Sequence, residues 1–113
     1  MDNTKDDIYY VKKIMADLYF INDHISNITK SDLEHDEMLL DSMLFRLIQI
    51  CENVKKLTDN YKISRCEIPW RDIAGLRNRL VHDYGNVDLE IVYETLAADV
   101  PMLIKMFEKN CES

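Results

Sequence analysis

The sequence predicts an all-α fold, an up-and-down bundle of four to five helices. Three observations point there. Apolar residues recur at gaps of three and four over long windows. Gly and Pro are scarce, two of each, whereas sandwiches and barrels need many tight turns. Capping patterns stand where the apolar stripes begin. The 113 residues fit one domain over residues 1–113. With 47% hydrophobic residues, a single core can form without staples.

The first helix is expected to begin at "TKDD", with Thr4 as cap and Asp7 as the acidic member of a capping box. Ile8, Val11, Met15, Leu18, Ile21, Ile25 and Ile28 then form one apolar stripe ending near Ile28. "SDLE" reads as a second capping box, Ser31 with Glu34. Leu40, Met43, Leu47, Ile50, Val54 and Leu57 follow, in a long helix ending near Thr58. Either long helix alone is marginal, so the two should pack antiparallel on each other. "DNYKISRCEI" has no sustained period and reads as a loop. Pro69 suits the first turn of a third helix and Gly85 its stop. Asp88 can cap a fourth, carrying Leu89, Val92, Tyr93 and Leu96; Pro101 should break or kink it before a last short helix.

Several function classes are excluded. Cys51, Cys66 and Cys111 are odd in number and widely spaced, so they give neither a zinc site nor a disulfide framework. They read as reduced thiols of a cytoplasmic protein. The start "MDNTKDD" is acidic and polar, unlike a signal peptide. No apolar run approaches the roughly 20 residues of a membrane span. His24 and His35 lack ligand-spaced companions, and no Glu-x-x-His pair supports a di-iron bundle. No phosphate loop, nucleophile elbow or dinucleotide fingerprint occurs. Neither metal nor cofactor is expected.

A net charge of −7 argues against general nucleic-acid binding. Its distribution qualifies that. Between residues 62 and 82 the chain carries Lys62, Arg65, Arg71, Arg77 and Arg79 against only Glu67 and Asp72. The segments on either side are acidic. The one basic island ends on "RNRLVHDYGN".

On a helix at about 100° per residue, Ile73, Leu76 and Leu80 share a face with Trp70 and Val81. Arg77 falls inside that face. It needs a partner there or a water-filled niche; it could also snorkel out or pair with a core carboxylate. The opposite face holds Arg71, Gly75, Asn78 and His82. Gly75 would let another surface approach closely, or is simply tolerated at about 1 kcal/mol. Asn78 and His82 are four apart and could touch. His82 in the last turn would be favoured in its charged form by the helix dipole and could serve as acid–base catalyst, or it merely helps capping. Arg77 and His82 lie about 140° apart on an ideal helix. Either the helix unwinds before His82, or two chains combine their residues.

"IPWRDIAGLRNRLVHDYGNVDLEIVYETL", residues 68–96, resembles the HEPN superfamily, specifically the HepT-like toxins paired with minimal nucleotidyltransferases. The motif is Arg, a polar residue, three more, His, one more, Tyr: Arg77, Asn78, His82 and Tyr84 here. Ile68-Pro69-Trp70-Arg71 before it and Val87-Asp88 after it also look like the family. The resemblance implies a metal-independent RNA endonuclease working as a symmetric homodimer, the toxin of a type VII-like toxin–antitoxin pair. His82 would move the proton, Arg77 would hold the phosphate, and Asn78 would orient His82 or a phosphate oxygen. Arg71 and Arg79 would add RNA contacts from the basic island. Tyr84 would be the acceptor for AMP transferred by the nucleotidyltransferase antitoxin; otherwise it is a tyrosine packing over the helix end. HEPN-like bundles also serve as non-catalytic helper modules that bind nucleotide or substrate for a nucleotidyltransferase. A purely structural dimerising bundle is the third possibility.

Overall fold

Asp6 starts the first helix, its carboxylate accepting the backbone N–H of Tyr9 at 3.1 Å, and α1 runs Asp7–Ile25. The structure, a computed structural model, describes residues 6–82 and 86–111, leaving aside the side chains of His82 and Cys111. The expected cap Thr4 lies outside the described residues. Asp7 is not the acid of a capping box: it takes the backbone N–H and hydroxyl of Thr58 at 2.8 and 2.7 Å. The buried stripe of α1 is Val11, Ile14, Leu18, Ile21 and Ile25. Ile8 stands exposed and Met15 only packs against the core. The helix stops before Ile28, where Asn27 takes a left-handed φ of 69°, a conformation its short polar side chain tolerates.

The second capping box exists, two residues earlier than expected. Thr29 and Asp32 exchange side-chain-to-backbone hydrogen bonds at 3.0 and 2.9 Å and open α2, Lys30–Glu34. The expected long helix is therefore two. Asp36 accepts the Leu39 N–H at 3.0 Å and starts α3, Glu37–Lys55; a capping aspartate so placed favours a new start over continuation. Met43, Leu47, Ile50 and Val54 face inward as their spacing predicts. Asp7 meets Thr58, while Asp17 meets Arg46 at 2.8 Å. One helix therefore runs up as the other runs down, and α1 and α3 are antiparallel.

"DNYKI" is not loop but a short helix, α4, Asp59–Ile63, capped by Thr58. The third expected helix is split into α5, Trp70–Ala74, and α6, Leu76–Leu80, with Gly75 between them. It ends well before Gly85. Val81 is extended at φ −122° and ψ 120°, and Val81–His82 (β1) pairs antiparallel with Asn86–Val87 (β2). Asp88 caps α7, Leu89–Glu94, as predicted. Pro101 does not end the helix: residues 89–111 stay helical, and the disturbance is a π-helical turn over Thr95–Asp99 that leads straight into α8, Val100–Cys111, a local adjustment of the kind that accommodates a missing N–H.

The buried apolar residues form one core, with Ile14, Leu18, Leu47, Leu80, Leu96 and Phe107 at or near zero exposure. Trp70 ties the site-bearing segment to that core. Its indole N–H reaches the carbonyls of Lys62 and Arg65, both at 3.1 Å, and its ring packs edge-on to Phe107 at 5.7 Å. No described helix is long and apolar enough to cross a membrane.

Candidate functional site

The expected site residues lie on α5, α6 and β1. Arg71, Arg77, Asn78 and Arg79 are all exposed. For Arg77 this corrects the helical-wheel expectation. The buried face is narrower than drawn: Ile73, Leu76 and Leu80 are buried, Trp70 is only half-buried, and Val81 has left the helix. Arg77 therefore sits past the edge of the apolar stripe. It neither pairs with a core carboxylate nor occupies a buried niche.

His82 moves off the helix. The last helical residue is Leu80; the Val81 N–H is bonded to the Arg77 carbonyl, and His82 follows in β1, paired with Asn86. Asn78 and His82 are thus not four apart on one helical face, and His82 does not sit in the last turn where the dipole acts. The helix unwinds before His82, which is one of the two arrangements that the separation of Arg77 and His82 by about 140° allowed. Tyr84 lies outside the described residues.

The basic island divides. Lys62 and Arg71 line one shallow depression with Trp70 and Cys66. Arg65 stacks on the Tyr61 ring at 3.8 Å. Arg79 points elsewhere: its Nη2 donates to the Asp72 carbonyl at 3.3 Å, and it lines a second cavity against α8. Two residues along a helix separate Arg77 from Arg79 by about 200°, so the structure does not bring these two together. Among the described residues, the ion pairs engage Lys30, Arg46 and Lys55; no cation of the island is neutralised by a carboxylate. Arg71 and Arg77 are thus exposed cations available to an anion. Gly75, between them, is exposed too, and a Cβ there would meet only the Arg71 carbonyl oxygen at 3.5 Å, an ordinary contact.

Two buried features escaped sequence reasoning, the first of them beneath the site. Cys51, buried on α3, lies against the Arg77 backbone; burial pushes its thiol pKa up, partly offset by the Arg77 N–H. Asp17, buried on α1, takes Arg46 from α3 at 2.8 Å, and that guanidinium lies 3.8 Å over the Phe20 ring. The periodic stripes flagged neither, because a buried aspartate at a helical core position reads as an interruption. Among the described residues no group of three or more His, Cys, Asp or Glu side chains gathers as metal ligands would.

Residues 14–109 match the family model described as "Ribonuclease HepT-like". A protein of Thermococcus cleftensis, named ribonuclease HepT by inference, is 30% identical over 100 residues, covering 88% of this chain and 91% of its own. One of Methanocaldococcus jannaschii, named as an RNase by inference, is 31% identical over 104 residues, covering 88% and 89%. Another of Caldanaerobacter subterraneus subsp. tengcongensis, named likewise, is 29% identical over 100 residues with the same two coverages. No solved structure matches the chain at comparable stringency.

Proposed function

Because the chain belongs to the HepT-like ribonuclease family, we propose that it is a metal-independent RNA endonuclease and the toxin of a two-gene pair. The observation that carries this reading is the exposed pair Arg71 and Arg77, which form no ion pair among the described residues, with Asn78, on the helices that lead into His82. RNA carries its own nucleophile. The 2′-hydroxyl gives up its proton to a base and attacks the adjacent phosphorus. A bond from O2′ to phosphorus forms, the bond to O5′ breaks, and the departing 5′-oxygen takes a proton. The protein needs to supply a base, an acid and a stabiliser for the charge gathering on phosphate. His82 moves the proton; Arg77 holds the phosphate with a planar donor fork; Asn78 orients one or the other. Two copies meeting along the face of Arg71, Gly75 and Asn78 would pool two basic islands, which lets a chain of net charge −7 hold RNA.

In the same reading a minimal nucleotidyltransferase silences the toxin by transferring AMP to Tyr84. An adenylyl group two residues from His82 adds a negative charge and bulk where the RNA backbone must come.

The test is expression of the chain alone and cleavage by the purified protein. Wild type should arrest growth and cut RNA in the presence of a chelator, leaving 2′,3′-cyclic phosphate ends. His82→Ala and Arg77→Ala should each lose about a hundredfold or more in rate with an unchanged melting curve. Cleavage that survives His82→Ala, or that requires divalent metal, sinks the mechanism. Mass spectrometry after incubation with partner and ATP should find AMP on Tyr84; modification that persists in Tyr84→Phe assigns the acceptor elsewhere.

A further inference from the structure

A cavity of about 260 Å³ opens on the side of α6 turned from Arg77. Its floor is apolar, made by Ile73, Leu76 and Leu103, all buried. Its rim carries Asp72, Arg79 and Asp99. The Arg79 guanidinium is anchored by its bond to the Asp72 carbonyl. Yet among the described residues it forms no ion pair with either carboxylate, although both line the same cavity. Asp99 is the last residue of the π-helical turn, a rare geometry that recurs at functional sites. The volume is below that of a drug-sized pocket and suits one planar base.

An apolar slot whose rim keeps an anion and a cation un-neutralised fits a ring with a donor edge and a separate acceptor edge. Among the RNA bases guanine alone offers two adjacent N–H donors to one carboxylate, at N1 and N2, with O6 and N7 left as acceptors for an arginine fork. Adenine and cytosine have one exocyclic amine, and uracil a single ring N–H. We propose that the cavity between α5–α6 and α8 is a subsite for a guanine base of the RNA, its N–H edge read by Asp99 with Asp72 and its O6 and N7 by Arg79. The subsite rests on the ribonuclease reading and adds a base preference to it. A helix body is about 10 Å across. At about 3.4 Å per stacked nucleotide, a strand with its scissile phosphate at Arg77 reaches the cavity with a base roughly three nucleotides away.

The test separates binding from cleavage. The full chain carrying His82→Ala is titrated with GMP, AMP, CMP and UMP, following backbone amides by NMR. GMP should shift the amides of Asp72, Arg79 and Asp99–Leu103 well beyond the other three. Asp99→Asn, at an exposed position that keeps size and fold, should weaken GMP about tenfold or more and leave AMP unchanged. If all four nucleotides shift these amides alike, or none does, the subsite is wrong. If GMP binds here while wild type cuts no RNA, the ribonuclease reading falls and the subsite stands. If RNA is cut at rates indifferent both to guanine near the cleaved bond and to Asp99→Asn, the subsite falls and the ribonuclease reading stands.

Discussion

His82 stands opposite Asn86 in the antiparallel pair of β1 and β2, two residues past the end of α6. The base of that pair is closed by the Asp88 N–H on the Leu80 carbonyl at 2.9 Å. The same Asp88 caps α7, its carboxylate accepting the Ile91 N–H at 3.1 Å. The backbone of the proposed catalytic histidine is therefore set between two helix ends. Asp88→Ala should cost about 1 kcal/mol through the lost cap and also lower RNA cleavage, because the base of the β1–β2 pair loosens with it. Asp88→Asn keeps an acceptor and should retain most of the stability. Urea denaturation and cleavage rates on the same preparations check both; an Ala variant that melts early but cuts normally would detach the cap from the site.

The pair of Asp17 and Arg46 joins α1 to α3 across the core edge. The carboxylate is buried while the guanidinium keeps about a third of its exposure. Arg46→Leu leaves Asp17 in the interior without its partner and should cost about 2 kcal/mol, below the value for a fully buried pair because water reaches the arginine. Adding Asp17→Leu removes the orphaned charge and should recover a good part of that loss. Chemical denaturation of the two single variants and the double gives the coupling. A double variant as unstable as the sum of the singles would mean the two residues act independently.

The long apolar stripes made α1, α3 and the core-facing residues of α7 legible in the sequence, because burial repeats with the helical period over many turns. The breaks were not legible. Thr29 rather than Ser31, and Asp36 rather than nothing, start helices because their side chains reach free N–H groups; such choices depend on geometry within one turn, where several polar residues compete. The helical period puts Arg77 on the buried face because Trp70 and Val81 widen the apparent stripe. One is only half-buried and the other has left the helix. Of the site, the residue types and their order could be read directly. The departure of His82 from the helix stands in the sequence only as one of two alternatives, because β1 and β2 are two residues each, too short for any alternating pattern.

Cys51 and Cys66 should part company in reactivity. Cys66 is exposed and Cys51 buried. A thiol reagent should modify Cys66 in the native protein at once and Cys51 only on unfolding, as peptide mapping would show. Burial raises the Cys51 pKa, so the folded state holds that proton more tightly than the unfolded chain. The stability this provides is complete below the unfolded thiol's pKa of about 8.5. It is lost as the pH rises through the folded value, because the unfolded state ionises first. Cys51→Ala should flatten the alkaline fall in stability. Rapid native labelling of Cys51 would mean α3 and α6 separate readily beneath Arg77.

Gly75 decides whether the face it shares with Arg71 and Asn78 is an interface. Among the described residues of one chain nothing requires glycine there. Its φ is −88°, accessible to any residue, and an added Cβ meets only the Arg71 carbonyl at an ordinary 3.5 Å. Gly75→Ala should therefore stabilise the single chain by about 0.4–1 kcal/mol, through the reduced freedom of the unfolded state. If two copies meet along this face, a larger side chain tells a different story. Gly75→Leu should leave the helical content and monomer stability near wild type, yet raise the dimer dissociation constant at least tenfold and lower RNA cleavage with it. Sedimentation velocity over a concentration series, run beside cleavage assays, reads both. A Leu variant that dimerises like wild type would move the symmetric contact elsewhere, and the pooling of two basic islands along this face would fail with it.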